Sequence, residues 1–220
     1  MSVVVAVAPH PDDETLGVGA TLARHVSQGH DVHWLIVTSL NGATQDAVLR
    51  RAVEIESVAA LYRFAAVHQL GLPAARLDTV PLADIVSAVG AVFRGVEPDT
   101  VYLPFPGDAH SDHRIVFDAG AACTKWFRYP SIRRVLCYET LSETGFGLDP
   151  RTPGLSPTSY VDVTDHLATK LTALTLYAGE GGQHPFPRSC DAIRALATLR
   201  GAEAGCAAAE AFALVREVQK

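Results

Sequence analysis

Two short clusters of histidine and acidic residues offer side chains that commonly bind metal ions in proteins. The first is His10-Pro11-Asp12-Asp13-Glu14, and the second is His110-Ser111-Asp112-His113. Two imidazoles with one carboxylate suit zinc that keeps a fourth position open for water. Such a site lowers the pKa of the water, and a nearby carboxylate or histidine takes the released proton. The two clusters therefore predict a zinc-dependent hydrolytic site.

The spacing within the first cluster divides its side chains between two tasks. His10 and Asp13 are three residues apart, which places them on one side of a starting helical turn. Asp12 lies between them and must point elsewhere, so it can lie beside the water without ligating the metal. We interpret Asp12 as the candidate general base.

The second cluster repeats the same spacing with two histidines. His110 and His113 are three residues apart, so one can ligate the metal while the other donates a hydrogen bond to a developing oxyanion. Asp112 can fix the tautomer of its neighbour, as carboxylates beside metal-binding histidines commonly do. The spacing alone does not assign the two roles to particular histidines.

Two other interpretations of these residues remain open at this point. Acidic residues after a strand often cap a helix and interact favourably with its dipole, so Asp12, Asp13 and Glu14 could have only that function. Two histidines and one carboxylate also suit a ferrous iron site. The adjacent Asp12 favours hydrolysis over oxygen chemistry, so we expect one Zn²⁺ per chain, with Fe²⁺ as the alternative metal.

The clusters are placed by the segments that precede them. Ser2–Ala8 is a short apolar, β-branched run that predicts a buried strand, and Thr100–Leu103 predicts another. Ligands of open parallel sheets bind outside the carboxyl ends of the strands, near the switch in strand order. Both clusters are therefore expected at the same edge of one sheet.

Strands and helices alternate along the chain. This pattern predicts parallel strands with right-handed crossovers, and so an α/β fold: a Rossmann-like three-layer α/β/α sandwich with a mostly parallel sheet. We interpret residues 1–220 as one domain, in which the segment 209–217 is compatible with either strand or helix. Further strands are predicted at 32–38, 66–70, 135–139 and 160–163, and helices at 14–28, 44–64, 82–93, 112–127, 164–178 and 189–203.

The composition narrows the class of protein. The 220 residues are 48% hydrophobic and 19% charged, which is enough to bury a core. A net charge of −6 without a basic run argues against nucleic acid as a partner. Val3–Ala8 is too short to cross a membrane and follows no positive segment, so we expect a cytoplasmic protein without a membrane span. The four cysteines form no C-x-x-C pair, which argues against a cysteine zinc site.

Two further patterns are interpreted as structural. Gly17-Val18-Gly19 resembles the start of a dinucleotide fingerprint, but it lies inside a predicted helix and Leu22 occupies the third glycine position. We expect these glycines to allow close helix packing. Four other histidines lack a carboxylate at ligand spacing, apart from Asp31 beside one of them, and are expected to be ordinary surface or core residues: His25, His30, His33 and His68.

The chain resembles the PIG-L/LmbE-like family of zinc-dependent N-acetylglucosaminyl deacetylases. The resemblance rests on APHPDDETLGVGAT at 8–21 and PGDAHSDHR at 106–114. It is strengthened by LGLPAARLD at 70–78, YETLSET at 138–144, and Arg200-Gly201 with AEAF at 209–212. It implies a metal-dependent amidohydrolase that removes an N-acetyl group from an N-acetylglucosamine-type sugar or glycoconjugate, releasing acetate and a free amine.

The resemblance also implies roles for single residues of the two clusters. His10, Asp13 and His113 would ligate zinc, and Asp12 would be the general base. His110 would stabilise the oxyanion or protonate the leaving amine, and Asp112 would orient it.

Contacts to the substrate are less sharply defined by the resemblance. An arginine in the helix after the second strand would contact substrate, and the Arg-x-x-Glu spacing points to Arg51 with Glu54, with Arg50 as the alternative. Among polar residues near the loop at 141–159, Glu139, Ser142 and Thr144 are candidate contacts. Turn and capping chemistry explains the same residues equally well.

One departure from the family pattern and two alternatives bear on function. Several relatives carry an Asp after the Leu-Pro pair, where this chain has Ala74-Ala75, so the identity of the sugar stays open. A zinc hydratase of an unsaturated dicarboxylic acid would need a further cation such as Arg114 or Arg188. A sugar-binding module with a degenerate site is a non-enzymatic alternative. The alanine-rich segment 195–213 could form an interface in a homo-oligomer.

Overall fold

The computed structural model describes residues 2–40, 42–149, 151 and 154–219, and these form an α/β fold around one seven-stranded sheet. The strand order is β3-β2-β1-β4-β5-β7-β6. The strands are β1 Val3–Ala8, β2 Asp31–Ser39, β3 Ala66–Pro73, β4 Thr100–Pro104, β5 Arg134–Tyr138, β6 Ser159–Asp162 and β7 Ala209–Glu217.

The first five strands are parallel, as the alternating pattern predicts. The undecided segment 209–217 is a strand, β7, which pairs antiparallel with β5 on one side and with β6 on the other. Its central position in that part of the sheet explains why its first four residues are buried.

Helices cover both faces of the sheet, which confirms the three-layer architecture. The helices are α1 Asp13–Ser27, α2 Gln45–Tyr62, α3 Leu82–Val96, α4 Ser111–Ala122, α5 Leu167–Leu176 and α6 Cys190–Ala204. α3 and α4 pack on one face around Val89 and Val116, together with β-strand residues such as Val5 and Leu103. The other helices cover the opposite face, where α1 and α2 pack on alternate residues of the same strands.

Close packing against α1 explains its two glycines. A Cβ atom at Gly17 would lie 2.1 Å from Tyr138 Cδ2, and one at Gly19 would lie 2.4 Å from the Tyr62 hydroxyl. Both distances are too short for any side chain, so the expectation of close helix packing is confirmed.

The last strand also reaches back to α1 through a buried ion pair. Glu210 in β7 accepts hydrogen bonds from the backbone N–H groups of Ala20 and Thr21, at 3.1 and 2.7 Å. Lys170 Nζ lies 2.6 Å from Glu210 Oε1 and donates to the Leu16 carbonyl at 2.8 Å. The two charges therefore hold the middle of α1 against the carboxyl-terminal strand.

The strand order reverses direction between β1 and β4, which are neighbours in the sheet. The two histidine clusters follow these two strands, so they meet at the switch in strand order, as the sequence predicts. Within the described residues, no helix is long and apolar enough to cross a membrane.

Candidate active site

A cavity of about 330 Å³ lies at the carboxyl ends of β1 and β4. It brings together most of the residues that the sequence singles out. The predicted residues that line it are His10, Asp12, Asp13, Arg51, His110, His113 and Ser142. Asp112 lies directly behind this lining, in contact with His10.

Three of these side chains are spaced as metal ligands. His10, Asp13 and His113 each offer one ligand atom, and these atoms all lie within 4.8 Å of one another. Asp13 Oδ2 is 3.2 Å from His10 Nδ1 and 3.4 Å from His113 Nε2. Two ligand atoms of a tetrahedral zinc site, each about 2.0–2.1 Å from the ion, are about 3.3 Å apart. The two separations from Asp13 therefore match those expected in such a site.

Each histidine of this set has a carboxylate at its other ring nitrogen. His113 Nδ1 is 2.7 Å from Asp108 Oδ2, and His10 Nε2 is 3.0 Å from Asp112 Oδ2. A ring N–H that donates to a carboxylate leaves the opposite nitrogen free for the metal, and it fixes the orientation of the ring. Asp108 was not singled out in the sequence, although it lies five residues before His113 in the second motif.

The position of Asp112 differs from the role that the resemblance implies. Its carboxylate faces His10, not His110, and it accepts backbone hydrogen bonds from Ala75 at 2.7 Å and from Leu77 at 3.2 Å. Burial opposes ionisation of Asp112, but the hydrogen bond with His10 and these two backbone donors hold its pKa below the usual value. His10, His110 and Asp112 also form a second group of possible ligands.

Charges within the group shift its titration. Burial disfavours the imidazolium of His113, but Asp13 and Asp108 raise its pKa to about 10. The pKa of His10 is raised to about 9 by Asp112 and Asp13, again against burial. Burial also disfavours the ionised form of Asp13, yet the two histidines hold its pKa far below the usual range. The cluster therefore carries complementary charges that a cation can replace.

Asp12 is held apart from the ligand group, as its position in the motif predicts. It has φ 129° and ψ −28°, and its side chain makes no capping hydrogen bond to α1. A positive φ is costly for a residue with a Cβ and is typical of functional sites. The Asp12 carboxylate instead accepts a hydrogen bond from Arg188 Nη1 at 2.8 Å. Helix capping therefore does not explain this carboxylate.

The environment of Asp12 also raises its pKa well above the usual value. Burial is the largest cause, and the neighbouring charges of Asp13 and Glu180 add to it, while Arg188 opposes it. A carboxylate with a raised pKa is a better proton acceptor than an ordinary one.

His110 lies at the amino end of α4 with a defined tautomer. Its Nδ1 accepts a hydrogen bond from the backbone N–H of Asp112 at 3.2 Å, so in the neutral ring the proton is on Nε2. The ring is half-buried and its centroid lies 4.5 Å from that of His10. His110 can therefore present an N–H donor to a ligand in the cavity.

Two arginines and one glutamate form an ion-pair chain along the cavity. Glu180 accepts from Arg51 Nη2 at 2.5 Å through one oxygen and from Arg188 Nη1 at 2.9 Å through the other. Arg51 also lies 3.3 Å from Glu54, whereas Arg50 is exposed and does not line the cavity. Of the two arginines, the one that the Arg-x-x-Glu spacing indicates is therefore the one that lines the cavity. These ion pairs connect Arg51 to Asp12 through Glu180 and Arg188.

The polar residues after β5 divide between two places. Ser142 lines the cavity with φ 74°. Glu139 does not line it, because its two carboxylate oxygens accept from Arg200 at 2.8 and 2.7 Å. Thr144 donates to Asp108 at 2.6 Å and so supports the carboxylate behind His113. Thr140 is buried in the cavity lining, and its hydroxyl has no hydrogen-bond partner among the described residues.

Comparisons with known proteins find relatives of the sequence and of the fold. The chain is 24% identical to diacetylchitobiose deacetylase of Thermococcus kodakarensis, over 96% of this chain and 82% of that protein. Its fold matches the conserved protein TT1542 of Thermus thermophilus, with TM-score 0.80 and 23% identity over 100% of this chain and 97% of that chain. It also matches GalB, the 4-carboxy-2-hydroxymuconate hydratase of Pseudomonas putida, with TM-score 0.76 and 18% identity over 100% and 98% of the two chains.

The match to a protein family covers both histidine clusters. The family model described as "PIG-L: GlcNAc-PI de-N-acetylase" matches residues 5–124. That range contains His10, Asp12 and Asp13 after β1 and His110 and His113 at α4, all of which line the cavity described above. The chain therefore belongs to the PIG-L family.

Proposed function

We propose that the protein is a metal-dependent deacetylase that hydrolyses the N-acetyl amide of an N-acetylglucosamine-type sugar, releasing acetate and a free amine. The observation that carries this proposal is the ligand group of His10, Asp13 and His113 with a separate carboxylate, Asp12, in the same cavity. Membership of the PIG-L family and the similarity to a diacetylchitobiose deacetylase support it.

The proposed metal is one Zn²⁺ per chain, held by His10 Nδ1, His113 Nε2 and the carboxylate of Asp13. When bound, zinc would supply a Lewis acid that polarises the acetyl carbonyl and lowers the pKa of water. Asp108 and Asp112 would hold the two histidine rings in the tautomers that leave these nitrogens free. Fe²⁺ is the alternative that this donor set also suits.

Asp12 would accept the proton of the attacking water. Its carboxylate is held by Arg188 at 2.8 Å, which fixes its direction without using both oxygens. Arg51 would contact the substrate, because it lines the cavity and is itself oriented by Glu180 at 2.5 Å. The ion pairs would thus hold Asp12 and Arg51 at fixed positions relative to each other.

His110 would stabilise the negative charge that develops on the acetyl oxygen. The neutral ring carries its proton on Nε2, since Nδ1 already accepts from a backbone N–H, and an N–H donor aimed at an oxyanion lowers the barrier of acyl transfer. The departing nitrogen needs a proton, which either Asp12 or a cationic His110 would return.

The hydratase alternative would need a free cation for the second carboxylate of its substrate. Arg188 is already bound to Asp12 and Glu180, at 2.8 and 2.9 Å. Arg114 lines a different cavity, together with Asp149 and Leu148. Arg114 therefore lies outside this cavity, and the charge of Arg188, which lines it, is already balanced by two carboxylates, which favours the amidohydrolase.

The test is acetate release from a panel of N-acetylglucosamine conjugates by zinc-loaded protein, with a chelated sample as the control. Release that the chelator abolishes and zinc restores is expected. A well-folded, zinc-loaded protein that releases no acetate, yet changes the absorbance of unsaturated dicarboxylic acids, would contradict the proposal. We also propose that residues 1–220 form a single domain. Whether the protein forms a homo-oligomer is tested separately by light scattering.

A further inference from the structure

Glu14 carries a buried carboxyl group that the reaction proposed above does not use. It is 0% exposed and occupies the second position of α1, directly after Asp12 and Asp13. A carboxyl group that is removed from water needs hydrogen-bond donors to its oxygens. The groups that donate to Glu14 therefore indicate what this side chain holds in place.

One of these donors is the backbone N–H of Asp12, the proposed base. Its nitrogen lies 3.1 Å from Glu14 Oε2. On the other side of the same residue, the Asp12 carbonyl accepts from the backbone N–H of Leu16 at 2.8 Å. The main chain is thus held on both sides of Asp12, where φ is 129°. A residue with a Cβ keeps such a conformation only when the surrounding structure holds it there.

The contact between Glu14 and Asp12 is one half of a reciprocal pattern that often begins a helix. In that pattern, the side chain of the residue before the helix caps a helical N–H, and an acidic side chain, usually three residues later, accepts from the N–H of that first residue. Glu14 makes the second contact, but the Asp12 side chain does not make the first. The Asp12 carboxylate binds Arg188 in the cavity instead. Glu14 therefore holds the main chain of the base while the carboxylate of the base stays free of the helix.

The other two donors fix the direction of the Glu14 carboxylate. The hydroxyls of Thr15 and Tyr177 both donate to Glu14 Oε1, each at 2.6 Å. Tyr177 directly follows α5 and is 2% exposed. Its ring also contacts Arg51, whose Cζ lies 5.8 Å from the ring centroid. The position of Glu14 is therefore set from two helices.

We propose that Glu14 is a positioning residue that acts through Asp12, because its carboxylate holds the main chain of the base in the conformation that aims it at the attacking water. The inference rests on the deacetylase function proposed above, in which Asp12 accepts the proton of that water. Glu14 does not line the cavity, so substrate does not reach it there. Removing its acceptor should therefore lower kcat and leave KM and the metal content unchanged.

The experiment is a double-mutant cycle on acetate release, with the zinc-loaded protein and the N-acetylglucosamine conjugate that the wild type hydrolyses fastest. Glu14→Met keeps an unbranched side chain but removes the acceptor. We expect kcat to fall about 10–100-fold, since a displacement of about 1 Å can cost about 10²-fold. In the Asp12→Asn background, the same change should have little further effect, because the contributions of residues that act as a unit are not additive.

A conservative variant at the same position should restore the rate. Glu14→Gln retains a carbonyl oxygen for the Asp12 N–H, and its amide can donate to the two hydroxyls, which accept as well as donate. We expect it to recover most of the kcat that Glu14→Met loses. A kcat as low as that of Glu14→Met would overturn the inference, since the acceptor for the main chain of Asp12 is still present.

A second pair of variants tests the inference with Glu14 in place, and it decides the matter if Glu14→Met does not fold. Tyr177→Phe removes one donor to Glu14 and keeps the ring that contacts Arg51, so kcat should fall several-fold. Tyr102→Phe is the matched control, because it removes the hydroxyl of another buried tyrosine, which lies 3.0 Å from His25 Nε2. It should leave kcat unchanged, and an equal kcat in the two variants would overturn the inference.

The outcomes of the cycle separate this inference from the proposed function. If the wild type releases acetate and Glu14→Met lowers kcat equally in both backgrounds, the deacetylase stands, but Glu14 does not act through Asp12. An unchanged kcat in Glu14→Met, or loss of its zinc, also overturns the inference, because the side chain then has no role or supports the ligands instead. If the wild type releases no acetate from any conjugate, the proposed function fails and the inference falls with it.

Discussion

Histidines lie at both the carboxyl and the amino ends of the strands, but the groups that neighbour them differ. At the carboxyl end, the rings alternate with carboxylates: Asp13, Asp108 and Asp112 lie within 3.4 Å of His10 or His113. At the amino end, the rings contact one another in two pairs. These pairs are His25 with His30, at 2.9 Å between their Nδ1 atoms, and His33 with His68, at 3.1 Å.

The carboxylates give the two ends opposite electrostatic character. They raise the pKa of His113 to about 10 and of His10 to about 9, so the carboxyl end attracts positive charge. Burial and the neighbouring imidazole lower the pKa of His25 to about 4, and the same causes lower that of His33. Within the part of the chain that the structure describes, groups of three possible metal ligands lie only at the carboxyl end. Histidine number alone therefore does not indicate a possible metal site, whereas the groups that could hold a metal are those in which carboxylates lie between the rings.

Replacing a proposed ligand at the carboxyl end of the strands should have the largest effect on metal content and activity. We expect His113→Ala to lose bound metal and at least about 10³-fold of kcat/KM, because two protein ligands hold zinc poorly and the metal activates water. Metal analysis after gel filtration and acetate release measure the two losses. His68→Asn at the amino end is the control, and equal metal loss in both variants would break the comparison.

Removing the base should separate catalysis from metal binding. Asp12→Asn is expected to keep its zinc and to lose about 10²–10⁴-fold of kcat, which is the usual contribution of a general base. The measurement is kcat together with the metal content of the same sample. A variant that loses zinc but retains turnover would show that Asp12 is a ligand and not the base.

Removing a carboxylate that supports a proposed ligand histidine should have an intermediate effect, on metal affinity. Asp108→Asn removes the charge that faces His113 Nδ1 at 2.7 Å, and such changes typically weaken metal affinity about 10–100-fold. Competition with a chromogenic chelator measures the affinity. Glu139→Gln is the matched control, because its carboxylate binds Arg200 and not a ligand histidine. An unchanged affinity in Asp108→Asn would remove Asp108 from the site.

A histidine substitution at the amino end of the strands should have the smallest effect, and it should change only the pH dependence of stability. The folded-state pKa of His25 is about 4, below the ordinary 6.5, so the unfolded chain binds more protons between these values. Stability is therefore lost as pH falls from about 6.5 towards 4. His25→Gln should remove about 1–2 kcal/mol of the loss between pH 7 and pH 5. Urea unfolding at both pH values measures it, and an unchanged pH dependence would contradict this interpretation.

The sequence predicted what depends on local pattern. The alternation of strands and helices predicted the parallel part of the sheet, and the three-residue spacings paired His10 with Asp13 and His110 with His113, since both features repeat within short windows. The choice of His113 as the candidate ligand came from the family resemblance. The segment 209–217 could not be assigned because its burial depends on β5 and β6, which are far away in the chain.

Site residues supplied by distant segments were harder to predict. Arg188 reaches Asp12 from 176 positions away, and the sequence offered it only as a cation for the hydratase alternative. Glu139 is itself a predicted substrate contact, but its side chain binds Arg200 and does not line the cavity. Asp108 could have been predicted as a support for His113, because a carboxylate next to a metal-binding histidine motif often orients the ring.

The position of β7 has a consequence for the order in which the chain assembles during synthesis. β6 lies at the edge of the sheet and pairs with β7, so Ser159–Asp162 leaves the ribosome long before its partner strand exists. Glu210, which holds the middle of α1, also arrives last. The segment matched by the family model can therefore form the parallel strands β1 to β4 early, while α1 gains its final support only when synthesis of the carboxyl-terminal strand is complete.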